Sequence, residues 1–279
     1  VPTVLDINLN DILTPEQLLF LSQYPDLKGV LEVFLRANNN SLEAQGFVKQ
    51  AIKALTNGGE VDFDDRIINK LTGKALCVYN KLQAMSTNFK SMIKKFDGEF
   101  PVSHLKFEES TSLSSNTNAE TSPPSNYLIT ITLNSNNLDR SILSIARTII
   151  HETIHAEMFR KLLSEWQHPS LEGIDENFLI NIRNNFPGLT DYYIRWLNNT
   201  PTGINTSSAQ HQAMAQHYRN TIKEILIKFD SKQNNDVYEA LSWVGLKGTI
   251  AWNNLSQSEK DKIEQVLKDF ENNNKTNCE

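Results

Sequence analysis

Along most of the chain, apolar side chains recur every three or four residues, the spacing that lines one side of a helix. In two short stretches they recur every second residue, as on one face of a strand. Thr14-Pro15-Glu16 reads as a helix start, with Thr14 as cap and Pro15 in the first turn. Ser41 opens a helix that runs to about Leu55 and carries Phe47, Val48, Ile52 and Leu55. Asn57-Gly58-Gly59 ends it, because glycine admits the left-handed turn. A third helical pattern covers Asp64 to Gln83, and a shorter one Asn88 to Phe96.

The period then switches. Val102 to Phe107 alternates and predicts a strand. Glu109 to Ser125, "ESTSLSSNTNAETSPPS", has almost no apolar side chains and predicts an exposed loop. "NYLITITLN", Asn126 to Asn134, predicts a second strand. From Asn137 the helical period returns, with Asn137 as cap and Asp139 at the positive end, and it lasts to about Trp166. A Pro/Gly-punctuated stretch (His168 to Gly188), an aromatic helix at "DYYIRWL" and a turn at "NNTPTGINTSS" follow. Further helices are predicted over Gln210–Phe229 and Ser256–Asn272, with "DVYEALSWVGL" between them. The fold class is α+β, mostly helical with a small β-sheet. A boundary inside residues 109–125 would split that sheet, so the expected division is a helical subdomain over 1–97 and a catalytic domain over 98–279.

Composition narrows the possibilities. At 279 residues, with 39% hydrophobic and 22% charged side chains, the chain is an ordinary globular one. A net charge of -6 with no basic cluster argues against binding nucleic acid nonspecifically. No apolar run reaches the roughly 20 residues of a membrane span. No basic start followed by an apolar run marks a signal peptide, and the opening Val1 suits a processed form or part of a longer protein. Cys77 and Cys278 are too few for a disulfide framework, and Cys77, within "KALCVYNKL", reads as a buried free thiol.

The chemistry concentrates in "TIIHETIHAEMF", Thr148 to Phe159. His151 and His155 are four apart, so a helix projects both from one face, where two imidazoles can share a zinc ion. Glu152 is offset by about 100°. It need not touch the metal, yet it can reach a water bound to it and act as general base. The preceding turns, "SILSIARTII", are apolar nearly all round, and two histidines and a glutamate in a buried helix are costly without partners. A catalytic zinc also needs a third protein ligand. The metzincin pattern would place glycine at Met158 and histidine at Lys161, so that class is excluded. Asp175 and Glu176 fall where a thermolysin-like glutamate would. "QHQAMAQHYRN" offers the stronger candidate, His211, over His217, which is out of phase with it. Glu239 is a rival ligand or a partner for a ligand histidine. Tyr218 and Tyr238 are candidates to donate a hydrogen bond to the oxyanion, or core aromatics. His104, in a strand, reads as structural.

"LSIARTIIHETIHAEMFRKL", "QHQAMAQHYRNTIKEILIKFD" and "YEALSWVGLKGTIAWNNL", in that order, resemble the SprT-like zincin metallopeptidase domains of Bacteroidetes-type bacteria. The resemblance covers roughly Val102 to Ile263. It implies one zinc ion per chain on His151, His155 and His211, with Glu152 as base and Tyr218, Tyr238 and Glu239 nearby. It also implies a protein or peptide substrate. Such domains often end longer exported or toxin-type chains, so export is an expectation of the resemblance alone. A catalytically silent zinc-binding module and a zinc amidase acting on cell-wall peptides are the alternatives. Oligomeric state is not legible.

Overall fold

The computed structural model describes residues 6–56, 67–94, 103–166 and 214–274, together with 171, 173–175, 177–178, 180, 211 and 278. The fold is mostly helical with a small mixed sheet, as the α+β reading requires. The expected features at Asn57–Gly59, His168, Glu176, "DYYIRWL" and "NNTPTGINTSS" lie outside the described residues.

Three helices open the chain: α1 (Pro15–Ser22), α2 (Pro25–Ala37) and α3 (Leu42–Thr56). The Thr14 hydroxyl accepts from Gln17 N while the Gln17 side chain accepts from Thr14 N, a capping box that starts α1 as expected. Pro25 ends any continuation and begins α2. These helices enclose their own buried cluster, which includes Leu31, Leu35, Val48 and Ile52.

Beyond residue 66 comes a strand in place of a helix. Ile67–Asn69 forms β1, which runs parallel to β2 (His104–Ser110) with Ile67 opposite Leu105. The helix expected from Asp64 begins only at Gly73, as α4 (Gly73–Met85). Two adjacent isoleucines satisfy a sheet edge better than a helix that would have to pass through Gly73 at φ 45°. β1, α4 and α5 (Thr87–Lys94) all belong to the larger buried cluster, with Val78, Leu82 and Phe89 fully enclosed. Among the described residues the two buried clusters divide between Ile52 and Ile67. His104 is buried where the two clusters meet, stacked on Phe47 with ring centroids 5.7 Å apart.

The sheet has the order β1-β2-β4-β3, with β3 (Ala119–Thr121) antiparallel to β4 (Leu128–Asn134) and the other pairs parallel. β4 buries Ile129, Ile131 and Leu133 in alternation, as its sequence predicts. The polar segment of residues 109–125 is not a free loop. β2 extends to Ser110, β3 lies within the segment, and three asparagine amides hold the turn between them. Asn134 Nδ2 donates to the carbonyls of Ser114 (2.9 Å) and Thr117 (2.8 Å). Asn136 Nδ2 reaches Thr111 O at 3.1 Å, and Asn137 Nδ2 reaches Ser115 O at 2.9 Å. Asn137 is thus committed to the loop and does not cap the next helix. That helix, α6 (Ile142–Trp166), starts later, where Ser141 Oγ accepts from Ser144 N at 3.0 Å.

α6 packs on β3 and β4 and against α4 and α7 (Arg219–Phe229). α8 (Asn235–Trp243), α9 (Ile250–Asn253) and α10 (Gln257–Asn273) complete the chain. The capping box of α10, Ser256 with Glu259, sits where the sequence places the last helix. Cys77 is not a free thiol: it forms a disulfide with Cys278, pinning the end of the chain to α4. Pairing was not foreseeable from two cysteines 201 positions apart. No described helix is long and apolar enough to cross a membrane.

Candidate metal centre

The middle of α6 lies beneath a cleft of about 460 Å³. One wall is the segment Asn116–Thr121, ending in β3; the other carries His211, Val244 and Gly245. Helical spacing places Arg147, His151 and His155 one turn apart along the floor. All three are nearly enclosed, as is Glu152.

The three histidines converge through their Nε2 atoms. His151 Nε2 is 3.1 Å from His155 Nε2 and 3.2 Å from His211 Nε2. Two nitrogens on one tetrahedral zinc, at about 2.05 Å each, would stand about 3.3 Å apart. The ligand atoms of the set all lie within 4.8 Å of one another. Burial, then the Arg147 charge and the other two rings, hold His151 well below the usual imidazole range. Burial, then His155 and Arg147, pull His211 down to about 3. This keeps the His151 and His211 rings neutral at ordinary pH, the form in which imidazole binds metal. The donor set fits a metal ion.

One feature departs from the common pattern. Metal-binding histidines usually donate their other ring N–H to a carboxylate or carbonyl. Here Arg147 Nη2 lies 2.9 Å from His151 Nδ1. A guanidinium can only donate, so Nδ1 accepts and the proton of the metal-free ring sits on Nε2, aimed at the other two histidines. A metal shared by the three rings would need the Nε2 lone pair, so the ring proton would have to move to Nδ1 and the Arg147 contact would have to shift.

Glu152 is held from the sheet. Thr121 Oγ1, on β3, donates to Glu152 Oε2 at 2.7 Å and lies 3.0 Å from the Glu152 carbonyl. Burial pushes the carboxyl up to about 7 against the opposing pull of the Thr121 hydroxyl and of Arg147. A base with that affinity is half ionised at neutral pH, the range in which proton transfer in both directions is easiest.

The other sequence candidates lie elsewhere. The Tyr218 hydroxyl accepts from Lys161 Nζ at 3.0 Å, and the residue does not line the cleft. The Tyr238 hydroxyl donates to Asp230 O and accepts from Gln233 N at 3.0 Å. It closes the turn between α7 and α8 and is a structural tyrosine, not an oxyanion donor. The Glu239 carboxylate pairs with Arg219 and with Lys223 (3.2 Å), so it neither binds a metal nor holds a ligand histidine. These basic partners lie one turn apart on α7 and draw the carboxylate away from the cleft. His217 is exposed. Asp175 accepts from Phe178 N at 2.8 Å, as a helix cap.

Sequence reasoning missed Arg147, Thr121 and Gly245. Arg147 carried a signal: an arginine within "SIARTII", otherwise apolar, needs a buried role. Thr121 had none, lying in a segment of many Ser and Thr. Gly245 has φ 79°, and a Cβ there would stand 2.9 Å from Arg147 Nη2 and 3.2 Å from His151 Cε1. Its missing side chain is what lets the loop after α8 close over the two residues.

The chain matches no family model, no curated protein and no solved structure. Function is therefore argued from this geometry.

Proposed function

We propose that the chain is a zinc metallopeptidase of the SprT-like zincin type. The observation that carries the reading is the convergence of three imidazoles beside a buried glutamate in an open cleft. A structural zinc site would take four protein ligands, whereas the three found among the described residues leave a position for chemistry. His151, His155 and His211 would hold the ion. When bound, zinc supplies a Lewis acid that polarises a carbonyl and acidifies water.

The chain's own groups supply the remainder. Among the described residues the outer edge of β3 pairs with no further strand, so an extended peptide can lie along it. Thr121 keeps the Glu152 carboxylate facing the cleft from that same strand. Glu152 takes a proton from the attacking water and passes it to the departing amine. The Cys77–Cys278 disulfide supports export to an oxidising compartment.

The test is zinc content by elemental mass spectrometry in the wild type and His211→Ala, beside casein cleavage by wild type and Glu152→Gln. About one zinc per chain, lost in His211→Ala, with cleavage abolished in Glu152→Gln, is the expected result. A wild type that takes up no added zinc would overturn the reading.

A further inference from the structure

Among the described residues, no anion lies against the buried charge of the Arg147 guanidinium. The residue is 5% exposed, and its Nε has no hydrogen-bond partner. Among the described residues, its one hydrogen-bond contact is the neutral ring of His151. Glu152 acts on it only through space, and Arg140 acts with the opposite sign. A buried cation without a paired anion costs several kcal/mol, roughly, and such groups are normally matched. Arg147 opens onto the cleft, so the match can come from a bound molecule.

We propose that Arg147 anchors a carboxylate of the substrate, seated in the cleft next to the three-histidine cluster. The identity of the bound molecule rests on the peptidase reading; the anion site does not. A planar fork of N–H donors recognises a carboxylate through two parallel hydrogen bonds, stronger and more directional than contacts to a neutral amide. One imidazole ring separates the guanidinium from the meeting point of the Nε2 atoms. That ring and its two contacts span roughly 7 Å, about two residues of extended chain. The bond presented to the cluster thus lies within about two residues of the carboxylate. The carboxylate is either the substrate's own C-terminus or an acidic side chain beside the cleaved bond.

The experiment is calorimetric titration of succinate, and of its neutral diamide, into the full chain. It is run with one equivalent of zinc and again with chelator, for wild type, Arg147→Met and Arg147→Lys. Succinate should bind under both conditions and the diamide should not. Arg147→Met should weaken succinate at least tenfold while its unfolding temperature stays level or rises, since a buried charge is gone. Should Arg147→Met fail to fold, Arg147→Lys carries the test, keeping the charge without the fork and losing affinity several-fold. Equal binding in the variants, or binding only when zinc is present, overturns the proposal. So does inorganic phosphate binding tenfold more tightly than succinate. A second arm compares cleavage of one peptide with a free or an amidated C-terminus, and of an amidated peptide with glutamate near the cleaved bond. At least a tenfold advantage in KM for the free terminus assigns the α-carboxylate; an advantage for the glutamate peptide assigns the side chain. No preference for either overturns the role in substrate selection. Succinate binding without cleavage of any peptide leaves the carboxylate site standing and removes the peptidase reading.

Discussion

Replacing Glu152 by glutamine should make the metal-free protein more stable at alkaline pH, and the size of the effect follows from burial. The Glu152 carboxyl, enclosed in α6, is pushed from 4.5 up to about 7. The folded state thus binds the proton more tightly than the unfolded chain does. The resulting stability is fully present below pH 4.5 and is lost as pH rises through 7. At about 1.4 kcal/mol per unit of displacement, the whole effect is about 3 kcal/mol. The side chain is fully enclosed, so solvent screening takes little from it. Glutamine keeps the shape and the contact with Thr121 but does not titrate. The assay is urea unfolding with chelator present, from pH 4.5 to 8.5, followed by tryptophan fluorescence. Trp166, Trp243 and Trp252 follow His155 in the sequence and report on the part of the chain that carries the cleft. The depressed histidines destabilise both proteins equally as pH falls below their ordinary range, so they cancel in the difference. Across that pH range the wild type should lose about 3 kcal/mol relative to the variant. Parallel stability curves would refute the burial argument.

Gly245→Ala should cost about 2–4 kcal/mol, from left-handed backbone strain and from crowding against Arg147 and His151, and should weaken zinc uptake. The urea midpoint and a chelator competition check both; wild-type values in each would count against the close packing. Asn134→Ala should cost about 1–3 kcal/mol by leaving carbonyls of the loop unpaired, with faster amide exchange across residues 111–118. Hydrogen-exchange mass spectrometry measures it. Cys77→Ser should lower stability by about 2–5 kcal/mol, because the disulfide closes a loop of 201 positions. Unfolding with and without reductant tests this, and reductant should leave the variant unaffected.

The floor of the site could be read from sequence because helical spacing alone puts His151, Glu152 and His155 together. His211 could be singled out by ligand type, though only the fold brings it within 3.2 Å of His151. The strand "NYLITITLN" was legible because one of its faces is buried. β1 was not, since three residues carry too little period to compete with the helical pattern after them. β3 was hidden for a different reason. Its order comes from side chains of residues 134–137, beyond the segment itself, so its own letters look like those of a free loop. Tyr238 and Glu239 misled because proximity in sequence to a motif says nothing about which way a helix turns its side chains.

The asparagine clasp has one more consequence. It grips the cleft wall by its carbonyls, which every amino acid possesses. The side chains of Ser114, Ser115 and Thr117 take no part in those amide contacts. The side chains at Ser114, Ser115 and Thr117 can be changed while the path is kept, much as a mould keeps its form under a changed lining, whereas Asn118 and Thr121 bond through their side chains. Under the proposed function, variation in what the protein accepts can therefore accumulate at those positions without touching α6, which makes them the natural place to retune selectivity by design.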